Sequence, residues 1–301
     1  MIPALQASFP GVSLRVLCPL LGISRSGVYA SRQRPDADAA ALALRDAIER
    51  IVLEFPGYGY RRVTHALRRK GWDINGKRVL RVMRDESLLC QFTRRRVVTT
   101  DSRHDLGRYP NLLRDQAITG PNQAWVADIT YIRLPTAFCY LAAILDAFSR
   151  RVVGWEMSLR IDAELTLAAL ERAITSRVPA PGLIHHSDHG VQYASTRYIA
   201  RLERIGARIS MAAIGNPYEN ARAESFFATL KREEVYLHDY RSFADAETNV
   251  EQFIEAVYNH KRLHSSLGYR PPSEFEAAWH TERDDDVFLE GRLAPTLVLV
   301  Q

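Results

Sequence analysis

Through the first 90 residues apolar side chains recur every three or four positions, and from residue 123 onward they crowd into short runs rich in aromatic and β-branched types. The first period is that of helices packed on one face, and the second is that of buried strands. SLRVLCPLLGISRSGVYASR (13–32) predicts a short apolar helix, a turn at Gly22 and a second helix that Ser24 can N-cap, a helix-turn-helix shape. Pro19 predicts that the first of these helices ends early. After the polar linker SRQRPDADAA, residues 41–90 predict three more helices: ALALRDAIERIVLE, GYRRVTHALRRKG and, past a turn at Asn75-Gly76, KRVLRVMRDESLL. On the last, Lys77, Arg81 and Arg84 follow a four-then-three spacing and share one basic face, which together with Arg78 suits a helix laid against DNA, while Val79, Leu80 and Met83 lie on other faces and can pack inward.

The stretch 91–120, with Arg94, Arg95 and Arg96, reads as a basic linker. QAWVADITYIRL, AFCYLAAILDAF and RRVVGWEMSL then predict three adjacent strands, separated by Pro135-Thr136-Ala137 and Ser149-Arg150. Residues 162–177 predict a helix, GLIHHS a fourth strand, STRYIARLERIG a helix, ARISMA a fifth strand and ENARAESFFATLKREEVYL a long helix. Three strands followed by alternating helix and strand is the mixed α/β pattern of a ribonuclease-H-like domain. Five segments follow: a helix-turn-helix-like start (1–35), a helical DNA-binding domain (41–90), the basic linker (91–120), the α/β core (121–279) and a motifless tail (280–301).

Composition adds three constraints. A length of 301 residues with 47% apolar content favours more than one core. No apolar run approaches a membrane span and the first residues lack a leader pattern, so the chain is expected in the cytoplasm, on the nucleoid when bound to DNA. Cys18, Cys90 and Cys139 are odd in number and far apart, which fits reduced thiols. The net charge of +5 is unevenly spread: residues 1–120 hold 21 Lys+Arg against 11 Asp+Glu, and the remainder is net acidic. The basic part is expected to meet a polyanion.

Three carboxylates carry the candidate chemistry. Asp128 sits inside the first strand, in WVADITYI, where a buried charge needs a partner or a metal. Asp188 directly follows the fourth strand, at the edge where α/β loops gather ligands. Glu224 lies near the start of the long helix, with 35 residues between it and Asp188. Three such oxygens suit hard divalent cations, and a pair of ions about 3.5–4 Å apart would assist both the attacking and the leaving oxygen of a phosphoryl displacement. The neighbouring histidines do not read as a zinc site: no cysteine is near, and strand alternation sends His185 and His186 to opposite faces. They are expected to flank Asp188, one packed and one near substrate, with His186 or His189 as an auxiliary that positions phosphate or tunes water. Lys231, seven positions after Glu224, can hold a DNA phosphate from the same helix face, and Asn220, four before it, can contact substrate too. Phe226, Phe227 and Leu230 read as core.

The stretches AWVADITYI, YLAAILDAFSRRVVGW, HHSDHGVQYAS, GNPYENARAESFFATLKRE and YNHKRLHSSLGYRPP, with LGISRSGVYA and YGYRRVTHALRRKGWDINGKRVLRVMR upstream, resemble the IS-three family of bacterial insertion-sequence transposases. These are DDE enzymes akin to retroviral integrases, and the resemblance is to the product of the second reading frame. It spans residues 13–279. The resemblance implies Asp128, Asp188 and Glu224 as the DDE triad, Mg²⁺ or Mn²⁺ as cofactor, two ions in all, and the terminal inverted repeats of a mobile element and target DNA as substrates. It implies cleavage at the 3′ ends by water, then attack of the freed 3′-hydroxyl on another phosphodiester, with no covalent protein intermediate. A homo-oligomer on DNA is implied, because two ends must be joined. So is an upstream segment joined by frameshifting.

Arg262 and His264, in the motif Tyr258, Asn259, Arg262, His264, Leu267, Gly268, are read as DNA contacts or as domain packing. Two departures from the family stand out. Pro19 replaces a polar helix residue, and Ala213-Ile214 replace a basic residue before Gly215-Asn216-Pro217, so the loop 211–219 is expected to grip DNA less strongly. Two rivals remain: a hydrolytic nuclease of the same fold, separated by the absence of strand transfer, and a catalytically idle DNA-binding repressor, separated by metal-independent binding alone.

Overall fold

The computed structural model describes residues 12–26, 28, 35–90, 109–114, 116–212 and 220–293, and the chain divides into two compact units, 1–89 and 90–301. In the first unit, α1 (Leu14–Leu20) ends one residue after Pro19, as the sequence suggests, and Gly22 makes the turn at φ +64°. Its Leu14 and Cys18 pack with Val28 in a small cluster. Three longer helices follow: α2 (Pro35–Glu54), α3 (Tyr60–Arg69) and α4 (Gly76–Asp85). Helix α2 begins inside the stretch read as a polar linker; a proline at the first helical position already has the right φ and lacks only an N–H that would find no partner there. Leu44, Ile48, Ile51, Tyr58, Val63, Leu67, Val79 and Met83 form the buried interior of this bundle. Asn75 starts α4 by accepting the Lys77 N–H on its side chain at 2.8 Å, which explains why the Asn-Gly pair marks a helix start.

The second unit is built on a five-stranded sheet in the order β3-β2-β1-β4-β5. Its strands are β1 (Ala124–Arg133), β2 (Phe138–Asp146), β3 (Val152–Ser158), β4 (Ile184–Ser187) and β5 (Arg208–Met211). The first three are antiparallel neighbours, whereas β4 runs parallel to β1 and β5 parallel to β4. This is the mixed sheet of a ribonuclease-H-like integrase core, with β1 at its centre. The parallel steps are made by α5 (Ala163–Arg177) and α6 (Thr196–Arg204).

Strand alternation divides the core into two layers. Ala124, Val126 and Ile132 of β1 join Ala223, Phe226, Phe227 and Leu230 of α7 (Ala221–Leu230) on one face. Trp125 and Ala127 join Leu165, Ala169 and Leu170 of α5 and Tyr198 and Leu202 of α6 on the other. Gly154 lets α5 approach β3: a Cβ there would lie 2.7 Å from Ala173 Cβ and would also run into the Ala169 carbonyl. After α7 the chain makes a π-helical turn over Lys231–Val235, then α8 (Phe243–Gln252), a second π-helical turn over Phe253–Tyr258 and finally α9 (Pro272–Leu293).

Two boundaries differ from the sequence reading. Leu112, Leu113 and Ile118, within the stretch read as linker, pack against the first face of the core, and Leu112 N donates to Ser210 Oγ at 2.9 Å. Helix α9 runs through residues 280–293, within the supposed tail. Before that point it is tied to the rest of the unit, because Trp279 Nε1 donates to Thr119 O at 3.0 Å and Glu276 is 4% exposed.

Candidate active site

The register of β1 and β4 pairs Ala127 with Ser187, so the next residues along these parallel strands are Asp128 and Asp188. Strand β4 ends at Ser187 and Asp188 begins the loop beyond it, which frees a carboxylate at a strand's C-terminal end. Both side chains are half-buried. Burial pushes the Asp128 carboxyl well above the usual carboxylate range; the charge of Asp188 adds to this, and that of Glu224 adds less. The Ile129 N–H, 2.8 Å from Asp128 Oδ1, acts in the opposite direction. Asp188 Oδ1 accepts the Gly190 N–H at 3.1 Å, which holds the loop turned at the strand end.

Glu224 lies in the first turn of α7 and is exposed, and partial desolvation raises its carboxyl as well. Lys231 follows at the first position of the π-helical turn. Its Nζ stands 4.6 Å from the centroid of the Tyr131 ring; burial lowers the ammonium while Asp128 works to keep it protonated. Asp188 at the end of β4, Glu224 on α7 and the Lys231 cation therefore all act on Asp128 of β1. Hard oxygen donors whose charges repel one another suit a divalent cation, which would relieve both the repulsion and the cost of burial. Convergence is partial: among the described residues no three His, Cys, Asp or Glu side chains are gathered tightly enough to hold an ion by themselves.

The histidines occupy opposite faces as expected, and both His185 and His186 are buried. His185 is 1% exposed, with Nε2 2.9 Å from Tyr198 Oη, and burial followed by the neighbouring His186 lowers its pKa to about 3, so it is a neutral core residue. His186 is fully buried, with Nδ1 2.8 Å from Ser210 Oγ, the cross-strand partner on β5. His186, expected as an auxiliary to phosphate, is thus held inside the sheet through Ser210. His189 is buried too.

Three expected DNA contacts also turn inward. Asn220 is 5% exposed and donates from Nδ2 to Ala127 O at 3.2 Å, so its amide is bonded to the sheet. Arg262 is 2% exposed and grips Glu233 with two hydrogen bonds, Nε to Oε2 at 2.8 Å and Nη2 to Oε1 at 2.7 Å. His264 is buried edge-on against Tyr258, at 4.9 Å between ring centres. The packing reading of Arg262 and His264 is the one their burial supports, because a DNA phosphate cannot reach a guanidinium enclosed in this way. Asn259 of the same motif pairs both ways with the backbone of Val152, at 3.0 Å each, and so anchors the start of β3.

In the first unit, Lys77, Arg78, Arg81 and Arg84 are all exposed on α4, while Val79 and Met83 are buried beneath them. Arg94, Arg95, Arg96 and the pair Ala213-Ile214 lie outside the described residues.

The sequence reading passed over a buried polar hub at the far end of β2. Asp146 accepts N–H bonds from Asn122 (2.6 Å), Phe148 (2.9 Å) and Ser149 (2.9 Å). Ser149 Oγ links it onward to Glu276 at 2.6 Å, and Arg177 holds both oxygens of Glu276, at 2.7 and 2.9 Å. Burial raises the Asp146 carboxyl. In Glu276 burial acts the same way but is outweighed by Arg177, Ser149 and Arg151, so its carboxyl falls below the usual range. A signal was present: Asp146 closes the apolar run AAILD, the same buried-charge pattern that draws attention to Asp128.

Comparison with known proteins identifies the domains in which these residues lie. Two integrase core domain models match residues 118–217 and 205–272, and an HTH-like domain model matches residues 39–96. The insertion element IS600 uncharacterized 31 kDa protein of Shigella sonnei is 37% identical over 273 residues, covering 88% of this chain and 98% of that protein. The transposase for insertion sequence element IS904 of Lactococcus lactis is 38% identical, covering 77% and 93%, and the transposase InsF for insertion sequence IS3A of Escherichia coli is 36% identical, covering 90% and 95%. Among solved structures, the catalytic core domain of BIV integrase aligns with 54% of this chain and 99% of its own at 17% identity and a TM-score of 0.41.

Proposed function

For a chain that belongs to the IS3-type insertion-sequence transposases, we propose that Asp128, Asp188 and Glu224 are the catalytic carboxylates of a polynucleotidyl transferase that cuts the ends of its element and joins them to DNA. The observation that carries this reading is the parallel register of β1 and β4, which pairs Ala127 with Ser187 and so brings Asp128 and Asp188 to neighbouring positions at the end of β4; burial and these neighbouring acids raise the Asp128 carboxyl, a cost that a cation would relieve. Asp128 and Asp188 would hold the cation from adjacent strands, and Glu224 would supply the third donor from α7. Mg²⁺ or Mn²⁺, bound as a pair, would activate the attacking oxygen and stabilise the leaving one.

The chain's own residues orient DNA and exclude competing chemistry. Lys231, whose charge acts on Asp128 from the start of the π-helical turn, holds a phosphate of the element end beside the acids. In the first step water forms a bond to phosphorus as the bond to the 3′ oxygen breaks, leaving a 3′-hydroxyl on the element. In the second step that hydroxyl attacks a phosphodiester of the target and its proton leaves to solvent or a carboxylate; one P–O bond forms as another breaks, so no energy source is needed. The exposed basic face of α4 supplies sequence-independent grip on the terminal repeats. Two ends are joined in one event, so the working form is an oligomer on DNA, with an upstream segment of the family's kind as a further partner.

The test is strand transfer by purified protein on a labelled terminal-repeat duplex from the flanks of its own gene, with Mg²⁺, comparing wild type with Glu224→Gln. Joined products that vanish in the variant are expected. Cleavage without joining would favour a hydrolytic nuclease, and metal-independent binding with no cleavage would favour a repressor.

A further inference from the structure

Asn220 occupies the N-cap position of α7, where an asparagine ordinarily accepts an N–H from its own helix. It makes no such bond. Instead the side chain turns to the sheet and donates from Nδ2 to the carbonyl of Ala127, the residue immediately before Asp128. Its Oδ1 is buried and has no hydrogen-bond partner among the described residues.

The position of that carbonyl explains the arrangement. On the β4 side of β1, Ile184 N donates to Gln123 O at 3.0 Å, and alternation brings the carbonyls of Trp125 and Ala127 to the same edge in turn. The β1–β4 ladder stops at the pair Ala127–Ser187. Asn220 therefore bonds the sheet at the point where one strand gives out and both Asp128 and Asp188 begin. Glu224 follows one helical turn later on the same helix, so this amide links the strand that carries the first acid to the helix that carries the third.

We infer that Asn220 is a positioning residue, a strap that fixes the start of α7 against β1 and so sets the distance of Glu224 from Asp128 and Asp188. The inference rests on the carboxylate assignment above. It concerns the free protein: the strap holds the third acid in place before a cation or DNA arrives, so that less ordering remains to be done on binding.

The experiment uses the full chain as wild type, Asn220→Ala and Asn220→Asp. Aspartate is nearly isosteric and a good helix cap, but it cannot donate to a carbonyl. Amide hydrogen exchange over residues 221–226 is measured without metal, Mn²⁺ binding is measured by electron paramagnetic resonance, and thermal unfolding is followed in parallel. Both variants are expected to speed exchange in that first turn by about tenfold, the effect of losing one buried hydrogen bond, and to bind Mn²⁺ several-fold more weakly with little change in Tm. Asn220→Asp retaining wild-type exchange and Mn²⁺ affinity would overturn the strap, because capping or packing would then suffice. A fall in Tm with unchanged local exchange would overturn it as well. If wild type and Glu224→Gln bind Mn²⁺ equally poorly, the carboxylate assignment fails instead, and the strap stands or falls on the exchange data alone.

Discussion

Replacing Arg262 with alanine is expected to destabilise the second unit rather than to weaken its hold on DNA directly. The guanidinium side chain is 2% exposed and its partner Glu233 4% exposed, and the pair is bidentate at 2.7 and 2.8 Å. Arg262 also lies over the Tyr258 ring, with its guanidinium carbon 6.0 Å from the ring centre. Removing one member leaves a buried carboxylate without its cation, which costs about 3–5 kcal/mol. In a unit of this size each kcal/mol lowers Tm by about 2–4 °C, so the expected drop is on the order of 6–20 °C. The assay is thermal unfolding followed by intrinsic fluorescence, since Trp125, Trp155 and Trp279 of the four tryptophans lie in this unit. The double variant Arg262→Met with Glu233→Met removes both charges and keeps the volume, so it should recover most of the loss. The reasoning is refuted if Arg262→Ala leaves Tm unchanged while the salt dependence of DNA binding falls by about one charge; Arg262 would then belong on the DNA surface, as one sequence reading had it.

Three further outcomes follow from the same structure. Glu276→Gln should lower stability at neutral pH by about 1–3 kcal/mol, because Arg177 and Arg151 lose a charged partner. Its folded pKa is depressed, so the wild-type advantage is present above the unfolded value and disappears as pH falls through the folded one; urea unfolding of both proteins between pH 7 and pH 3 should show the curves converging at the acid end. Gly154→Ala should cost about 1–3 kcal/mol through overpacking of β3 on α5, read as a lower urea midpoint, and an unchanged midpoint would show that α5 can withdraw at no cost. Changing Lys77, Arg81 and Arg84 together to alanine should leave Tm within a few degrees and reduce the salt slope of DNA binding by about three, a change seen for any duplex rather than for the terminal repeat alone.

Much of the architecture is local in origin and so can be read along the chain. WVADITYI and YLAAILD become β1 and β2 because short apolar runs rich in β-branched and aromatic residues, bounded by turn residues, favour buried strands. Asn75 marks the start of α4 through a bond two residues long. Asp128 draws attention because an acid inside an apolar strand has no local means of being solvated, and the same rule applied to AAILD would have found Asp146.

What the chain alone determined, then, is where the strands, the helices and the three acids fall, since each depends on neighbours within about one helical turn or two strand positions. Tertiary structure decided which polar residues are exposed to solvent and which are enclosed. Arg262 meets Glu233 across 29 positions, Asn220 meets Ala127 across 93 and Arg177 meets Glu276 across 99. An arginine or an asparagine has the same appearance in a sequence whether its donors go to phosphate, to a carboxylate or to a carbonyl. Only the packing of distant elements, which removes water from one set of donors and leaves it on another, distinguishes them.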